Sequence, residues 1–180
     1  VGFFADAKLK KISVNGGAAV TLAGAPYSGG ASWSSQGTLA LQPINAPQGL
    51  QQVSQEGGAL QSLTRIEKGA GYHRWPEFLP NGQGVLFAGS PTNTTWAISQ
   101  IDVQQPPGEG KNLVQGTQPR YAASGHLLYA QSGTLMAAPF DVPRMALSGA
   151  AVPAIEGMMQ SLNTGAAQYS VSSTGTLAYL

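Results

Sequence analysis

The chain has no cysteine. Disulfides, thiolate metal ligands and a cysteine nucleophile are therefore excluded together. Charge is also scarce: 9% of the 180 residues are Asp, Glu, Lys or Arg, against about a quarter in an ordinary soluble domain. Nine basic residues against eight acidic ones leave a net charge of +1, so the sequence carries no electrostatic footprint for nucleic acid or an acidic membrane. The one basic cluster, Lys8, Lys10 and Lys11, reads as the solvated face of a strand. No apolar run reaches the roughly 18 residues that a membrane span takes, and no charged leader precedes the first strand-like residues. The expectation is a soluble chain with no nucleic-acid partner and no membrane insertion, whose beginning looks cut rather than natural. Sustained helical periodicity is missing as well.

Turn formers are plentiful, with 24 glycines and 12 prolines. This balance favours many short strands. Four segments share one grammar: GGASWSSQGTLAL, HRWPEFLPNGQGVLF, QPRYAASGHLLYA and AAQYSVSSTGTLAYL. Each has an aromatic or apolar residue, a short polar turn, a glycine and then an alternating apolar strand. Trp33, Phe78, Tyr121 and Val171 stand four residues before Gly37, Gly82, Gly125 and Gly175, and the glycines are 45, 43 and 50 residues apart. Repeats of about 40 to 50 residues with this pattern are the signature of radially arranged four-stranded sheets. After Gly125, HLLYAQ, TLMAAPFD and AVPAIEG supply three strands of one unit. VGFFAD, KLKKISVN and AAVTLAG at the start repeat those three, and GLQQVSQEGGALQSLT and AISQIDVQQPPGEGKNLV each give two strands around a turn.

The segments HRWPEFLPNGQGVLF, PRYAASGHLLYAQSGTLMAAPFD and AAQYSVSSTGTLAYL resemble the TolB-like, WD-repeat-like β-propeller modules attached to bacterial serine/threonine kinases, and the resemblance covers essentially the whole chain. It implies an all-β propeller of four-stranded antiparallel blades, about four per chain. It also implies a bacterial protein that is extracytoplasmic or part of a membrane-anchored one. The family's usual Ser-Pro-Asp-Gly turn is worn here to Leu79-Pro80-Asn81-Gly82, Ser34-Ser35-Gln36-Gly37 and Ala122-Ala123-Ser124-Gly125, which gives up the turn's Asx hydrogen bond but keeps the glycine. We read residues 1–180 as a single propeller domain, a fragment of a longer propeller.

Complete blades are expected to begin near Gly29, His73 and Thr117. The chain opens with three strands and finishes with the first two of another blade, and VGFFAD and GTLAYL read as the same blade strand. The terminal blade is thus incomplete with one strand redundant. Unpaired edges template association. The expected solution is a homodimer that closes the ring by strand exchange; a single-chain ring with one displaced strand is the alternative.

In propellers the first strand of each blade lines the central channel. Aligning the repeats puts Ser32, Glu77, Arg120 and Ser170 at equivalent places, with Glu77 and Arg120 facing each other across neighbouring blades as an ion pair or a ligand-orienting pair. His73 and Arg74 would sit at the mouth. The ligand-binding candidates are therefore Arg74, Trp75, Arg120, Ser32 and Ser170. His73 and Glu77 are the catalytic candidates, and His73 with Asp102 the metal candidates. Trp33, Trp75 and Trp96 are expected mainly in packing, and His126 as a strand histidine between blades. No nucleophile elbow, zinc-protease helix or complete phosphate loop is present. The leading function is a non-enzymatic sensor or interaction module that binds a small molecule or protein at the channel mouth without a cofactor. The alternative is a metal-dependent ester, lactone or phosphotriester hydrolase, with zinc shared by histidines of two chains favoured over calcium.

Overall fold

Gly37, Gly82, Gly125 and Gly175 set the rhythm of the fold. Their φ angles are 81°, 65°, 82° and 91°, a left-handed conformation that glycine adopts without steric cost. Each donates its N–H to the carbonyl three residues earlier, on Ser34, Leu79, Ala122 and Ser172, at 3.1, 3.1, 2.9 and 3.0 Å. One hairpin is thereby built four times from four different sequences.

The structure, a computed structural model, describes residues 1–66, 71–82 and 84–180. Gln83, inside the second repeat, lies outside them. Strands β1 (Gly2–Ala5), β2 (Lys8–Lys11) and β3 (Val20–Gly24) form the first sheet. The second runs β4 (Ala31–Trp33), β5 (Thr38–Leu41), β6 (Gln51–Ser54) and β7 (Gln61–Ser62). The third runs β8 (Tyr72–Phe78), β9 (Val85–Ser90), β10 (Gln100–Gln104) and β11 (Gly110–Gln115), with a 3₁₀ turn at Pro80–Gly82. The fourth holds β12 (Thr117–Ala122), β13 (His126–Gln131) and β14 (Thr134–Asp141), and β14 pairs with both β15 (Ala146–Leu147) and β16 (Val152–Ile155). The last sheet is β17 (Tyr169–Val171) with β18 (Leu177–Tyr179). Every ladder within these sheets is antiparallel, and the expected blade starts and strand order are the observed ones. The extra strand β15 was not expected.

Strand alternation explains how the sheets stack. Successive side chains point to opposite faces, so Leu39 and Leu41 join a cluster with Leu9 and Leu22 of the first sheet, while Ala40 between them joins Val85 and Phe87 of the third. Leu86 points the other way, to Leu127 and Tyr129 of the fourth sheet, and Ala130 continues to Tyr169 of the fifth and to Ala167 just before it. Each internal sheet is thus buried on both faces, which is why β9, VLFAGS, is apolar nearly throughout and buried at every position. The inner strands β4, β8 and β12 lie against one another. Among the described residues no ladder joins the first sheet to the last.

Candidate functional site

Ser32, Glu77 and Arg120 come together on the inner strands. The Arg120 Nη1 donates to Glu77 Oε2 at 3.3 Å, and to the carbonyls of Pro76 at 3.3 Å and Pro119 at 3.2 Å. Ser32 Oγ donates to the same Glu77 oxygen at 3.4 Å and accepts the Phe78 N–H at 3.0 Å. The row therefore ties three sheets through one carboxylate. Burial pushes the Glu77 carboxyl above its ordinary pKa, while Arg120 and the hydrogen bonds pull it back. Such a pair holds orientation more than it adds net stability.

A recurring kink lies two residues before each of these side chains. Gly30, Trp75 and Gln118 have φ of 91°, 55° and 48°, and the ladders shift register between Arg74 and Glu77 and between Thr117 and Arg120. A bulge of this kind re-aims the following side chains. Both non-glycine kinks precede a proline, Pro76 or Pro119, which by itself favours an extended rather than a left-handed residue before it. Each kinked residue fastens a neighbour: the Trp75 N–H donates to Gly29 O at 2.7 Å and its indole N–H to Thr164 O at 3.0 Å. The Gln118 amide donates to Ala167 O and accepts the Ala167 N–H, both at 2.8 Å.

Beside these kinks an open cleft of about 480 Å³ is lined by Trp75, Gln118, Gln168, Tyr169, Ser170 and Tyr179, among others. Ser170 and Gln168 are exposed, and Tyr179 is 54% exposed. Tyr169 is buried, with its hydroxyl donating to the carbonyls of Gln118 and Leu128, and burial pushes that hydroxyl far above the usual tyrosine range. Of the ligand candidates, Trp75 and Ser170 border this cleft. Ser32 and Arg120 belong to the row beside it. Gln118, Gln168, Tyr169 and Tyr179 were missed, because their polar groups carry no motif and meet only through the fold.

His73 and Arg74 are not at the mouth. Each is 2% exposed, because the strand leading into the kink runs inside the stack. The His73 ring lies on Phe87 with centroids 4.2 Å apart, and Nδ1 is 2.8 Å from Thr64 Oγ1. That hydroxyl accepts the Leu50 N–H at 2.7 Å, leaving its proton for Nδ1. Desolvation lowers the His73 pKa to about 4, so the ring is neutral at ordinary pH. The Arg74 guanidinium lies between the rings of Tyr27 and Trp96, at 4.9 and 4.4 Å, and donates to Gln42 Oε1 at 3.3 Å and Asn45 Oδ1 at 2.9 Å. It bolts the second sheet's loops to the third sheet.

Asp102 lies on β10, separated from β8 by β9, and accepts Asn112 Nδ2 at 3.1 Å. The structure does not bring it together with His73 as a metal pair, and Glu77 is engaged by Arg120 and Ser32 rather than by a histidine. Among the described residues no three His, Asp or Glu side chains gather where they could hold a metal ion. His126 opens β13 with Nδ1 3.1 Å from both Ser124 Oγ and Ser124 O, a contact of its own turn. Trp96 is buried in packing, while Trp33 is 40% exposed.

No family model matches the chain, and no curated protein matches it. Among solved structures it is similar to the calcium-binding protein regucalcin from Agrobacterium tumefaciens, with 14% identity over 97% of this chain and 60% of that one, at a TM-score of 0.63. It is likewise similar to TolB from Acinetobacter baumannii, with 16% identity over 96% of this chain and 42% of that one, also at 0.63. The chain thus spans 60% of one and 42% of the other. Both are β-propellers, and at such identity the likeness shows the fold alone: the chain is an all-β propeller of antiparallel sheets.

Proposed function

We propose that the chain is a non-enzymatic binding module whose ligand sits in the cleft bordered by Trp75, Gln118, Gln168, Ser170 and Tyr179. The observation that carries this reading is the lining itself. A half-buried indole is fixed by its backbone kink, exposed amide and hydroxyl groups stand near it, and no Asp, Glu, Lys or Arg side chain is among the lining residues. A concave site of a few hundred Å³ with aromatic walls and few polar groups is the usual form of a small-molecule pocket. Its neutrality fits an uncharged ligand with one flat face and several hydrogen-bonding groups. The rigid Glu77–Arg120 row behind it keeps the inner strands in place. In this reading the module serves as the sensing part of a larger bacterial protein of the kinase-attached kind.

Metal-dependent hydrolysis has less to stand on. For the calcium named for regucalcin, no three Asp, Glu or His side chains gather among the described residues of this chain, and His73 is buried against Phe87.

Titration calorimetry with a panel of neutral, anionic and cationic small molecules tests the proposal. Neutral members should bind, and Trp75→Ala should weaken them at least tenfold, as expected for the loss of a stacking surface worth about 1.4 kcal/mol or more. Binding confined to charged members, or unaffected by Trp75→Ala, would overturn it.

A further inference from the structure

Among the described residues, Arg74 is a buried cation whose hydrogen-bond partners are all neutral. Its guanidinium donates to the side-chain amides of Gln42 and Asn45 and lies between the rings of Tyr27 and Trp96. No described Asp or Glu forms an ion pair with it. Taking an ion out of water is costly unless an opposite charge and hydrogen bonds offset it, and burial accordingly lowers the Arg74 pKa. We propose that Arg74, Gln42 and Trp96 form a binding site for a carboxylate, lodged where the loops of the second sheet meet the third.

The groups around the cation share its imbalance. Gln42 is fully buried and Trp96 nearly so, yet Gln42 Nε2 and Trp96 Nε1 have no hydrogen-bond partner among the described residues. The same holds for Gln48 Nε2, on the loop that Arg74 fastens, where Gln48 bridges Tyr72. All three are N–H donors. The one orphaned acceptor described on a buried side chain, Gln104 Oε1, lies elsewhere on the third sheet, where Gln104 pairs with Val85 while Arg74 pairs with Ala88. Buried polar groups are normally paired, so unmet donors gathered around an unbalanced cation are the pattern that recognises an anion.

The geometry selects a flat anion. Arg74 uses Nε for Gln42 Oε1 and one Nη2 hydrogen for Asn45 Oδ1, and among the described residues Nη1 makes no hydrogen bond. Nη1 and the second Nη2 hydrogen thus form a planar fork, which takes a carboxylate through two parallel hydrogen bonds. The aromatic rings on the guanidinium restrict the slot to its plane, which favours a carboxylate over a tetrahedral phosphate or sulfate. Gly29 builds the close fit, since a Cβ there would stand 2.6 Å from Gln42 Oε1 and 3.2 Å from Arg74 Cγ. Asn45 is exposed and Tyr27 half-buried, so the anion enters beside the loop of residues 42–50. None of these residues lines the cleft beside Trp75, and the two sites can be tested apart.

Thermal unfolding in sodium formate or acetate, against sodium chloride at equal ionic strength, reads the site, because an anion that binds only the folded chain raises Tm with its concentration. The carboxylates should raise Tm by about 2 to 4 °C over chloride. Arg74→Lys keeps the charge but not the fork, and in calorimetric titration should weaken acetate by about tenfold or more. Gln42→Glu places a carboxylate beside the guanidinium within the chain. It should raise Tm in chloride and abolish the response to acetate, and it keeps the test open should Arg74→Lys fail to fold. N-acetylglycinate separates the two sources of the group: tighter binding than acetate assigns the site to a peptide C-terminus, equal or weaker binding to a free acid. An acetate response no larger than that of chloride, a response equal in wild type and Gln42→Glu, undiminished acetate binding by Arg74→Lys, or tighter calorimetric binding of sulfate than of acetate would overturn the proposal.

Discussion

At the scale of single residues, burial decides role more than residue type does. His73 attracted attention as a rare imidazole beside Arg74, Trp75 and Glu77, yet its ring is part of a core between two sheets. A group that stays neutral to about pH 4 when folded, but takes up a proton near 6.5 when unfolded, makes the unfolded chain the greater proton binder between those values. Stability is then fully present above about pH 6.5 and falls as the pH drops toward 4, by up to roughly 3 kcal/mol from this group. His73→Gln should flatten that part of the stability–pH curve, measured by urea unfolding at pH 7, 6, 5 and 4. A slope equal to wild type would show that His73 titrates normally.

At the scale of elements, the kink before each channel-side residue is where local rules are broken and neighbouring sheets are joined. A Cβ on Gly30 would stand 2.8 Å from Trp75 Cε3, at a φ of 91°. Gly30→Ala should therefore cost about 2 to 3 kcal/mol, from left-handed strain and the clash together, seen as a lower urea midpoint at unchanged slope. Combining it with Trp75→Ala should cost less than the sum of the two single changes, since one removes the atom the other strikes. Strict additivity would refute the contact. The hairpins around Gly37, Gly82, Gly125 and Gly175 were legible because turn chemistry and strand period are local properties. The Ser32–Glu77–Arg120 row was legible too, because alignment of repeats carries register across blades. The bulges were not: a positive φ at Trp75 or Gln118 is imposed by packing against Gly29 or Ala167, far along the chain. Placing His73 at the mouth failed for the same reason, since the kink after it separates the buried start of β8 from its channel-facing end.

At the scale of the whole molecule, stability should follow the number of neighbours each sheet has. The second, third and fourth sheets each contribute to two apolar clusters, the first and the fifth to one. A stack held by nearest-neighbour interfaces opens from its least covered units. Amide hydrogen exchange should therefore be slowest in β9 and β13, whose residues face both ways, and fastest in β17–β18, a two-stranded sheet with several exposed side chains. Leu127→Ala, at the interface between the third and fourth sheets, should cost about 2 to 5 kcal/mol and speed exchange in both sheets at once. If that substitution loosened only its own sheet, the blades would be independent units, and the account of a stack stabilised through alternating faces would have to be abandoned.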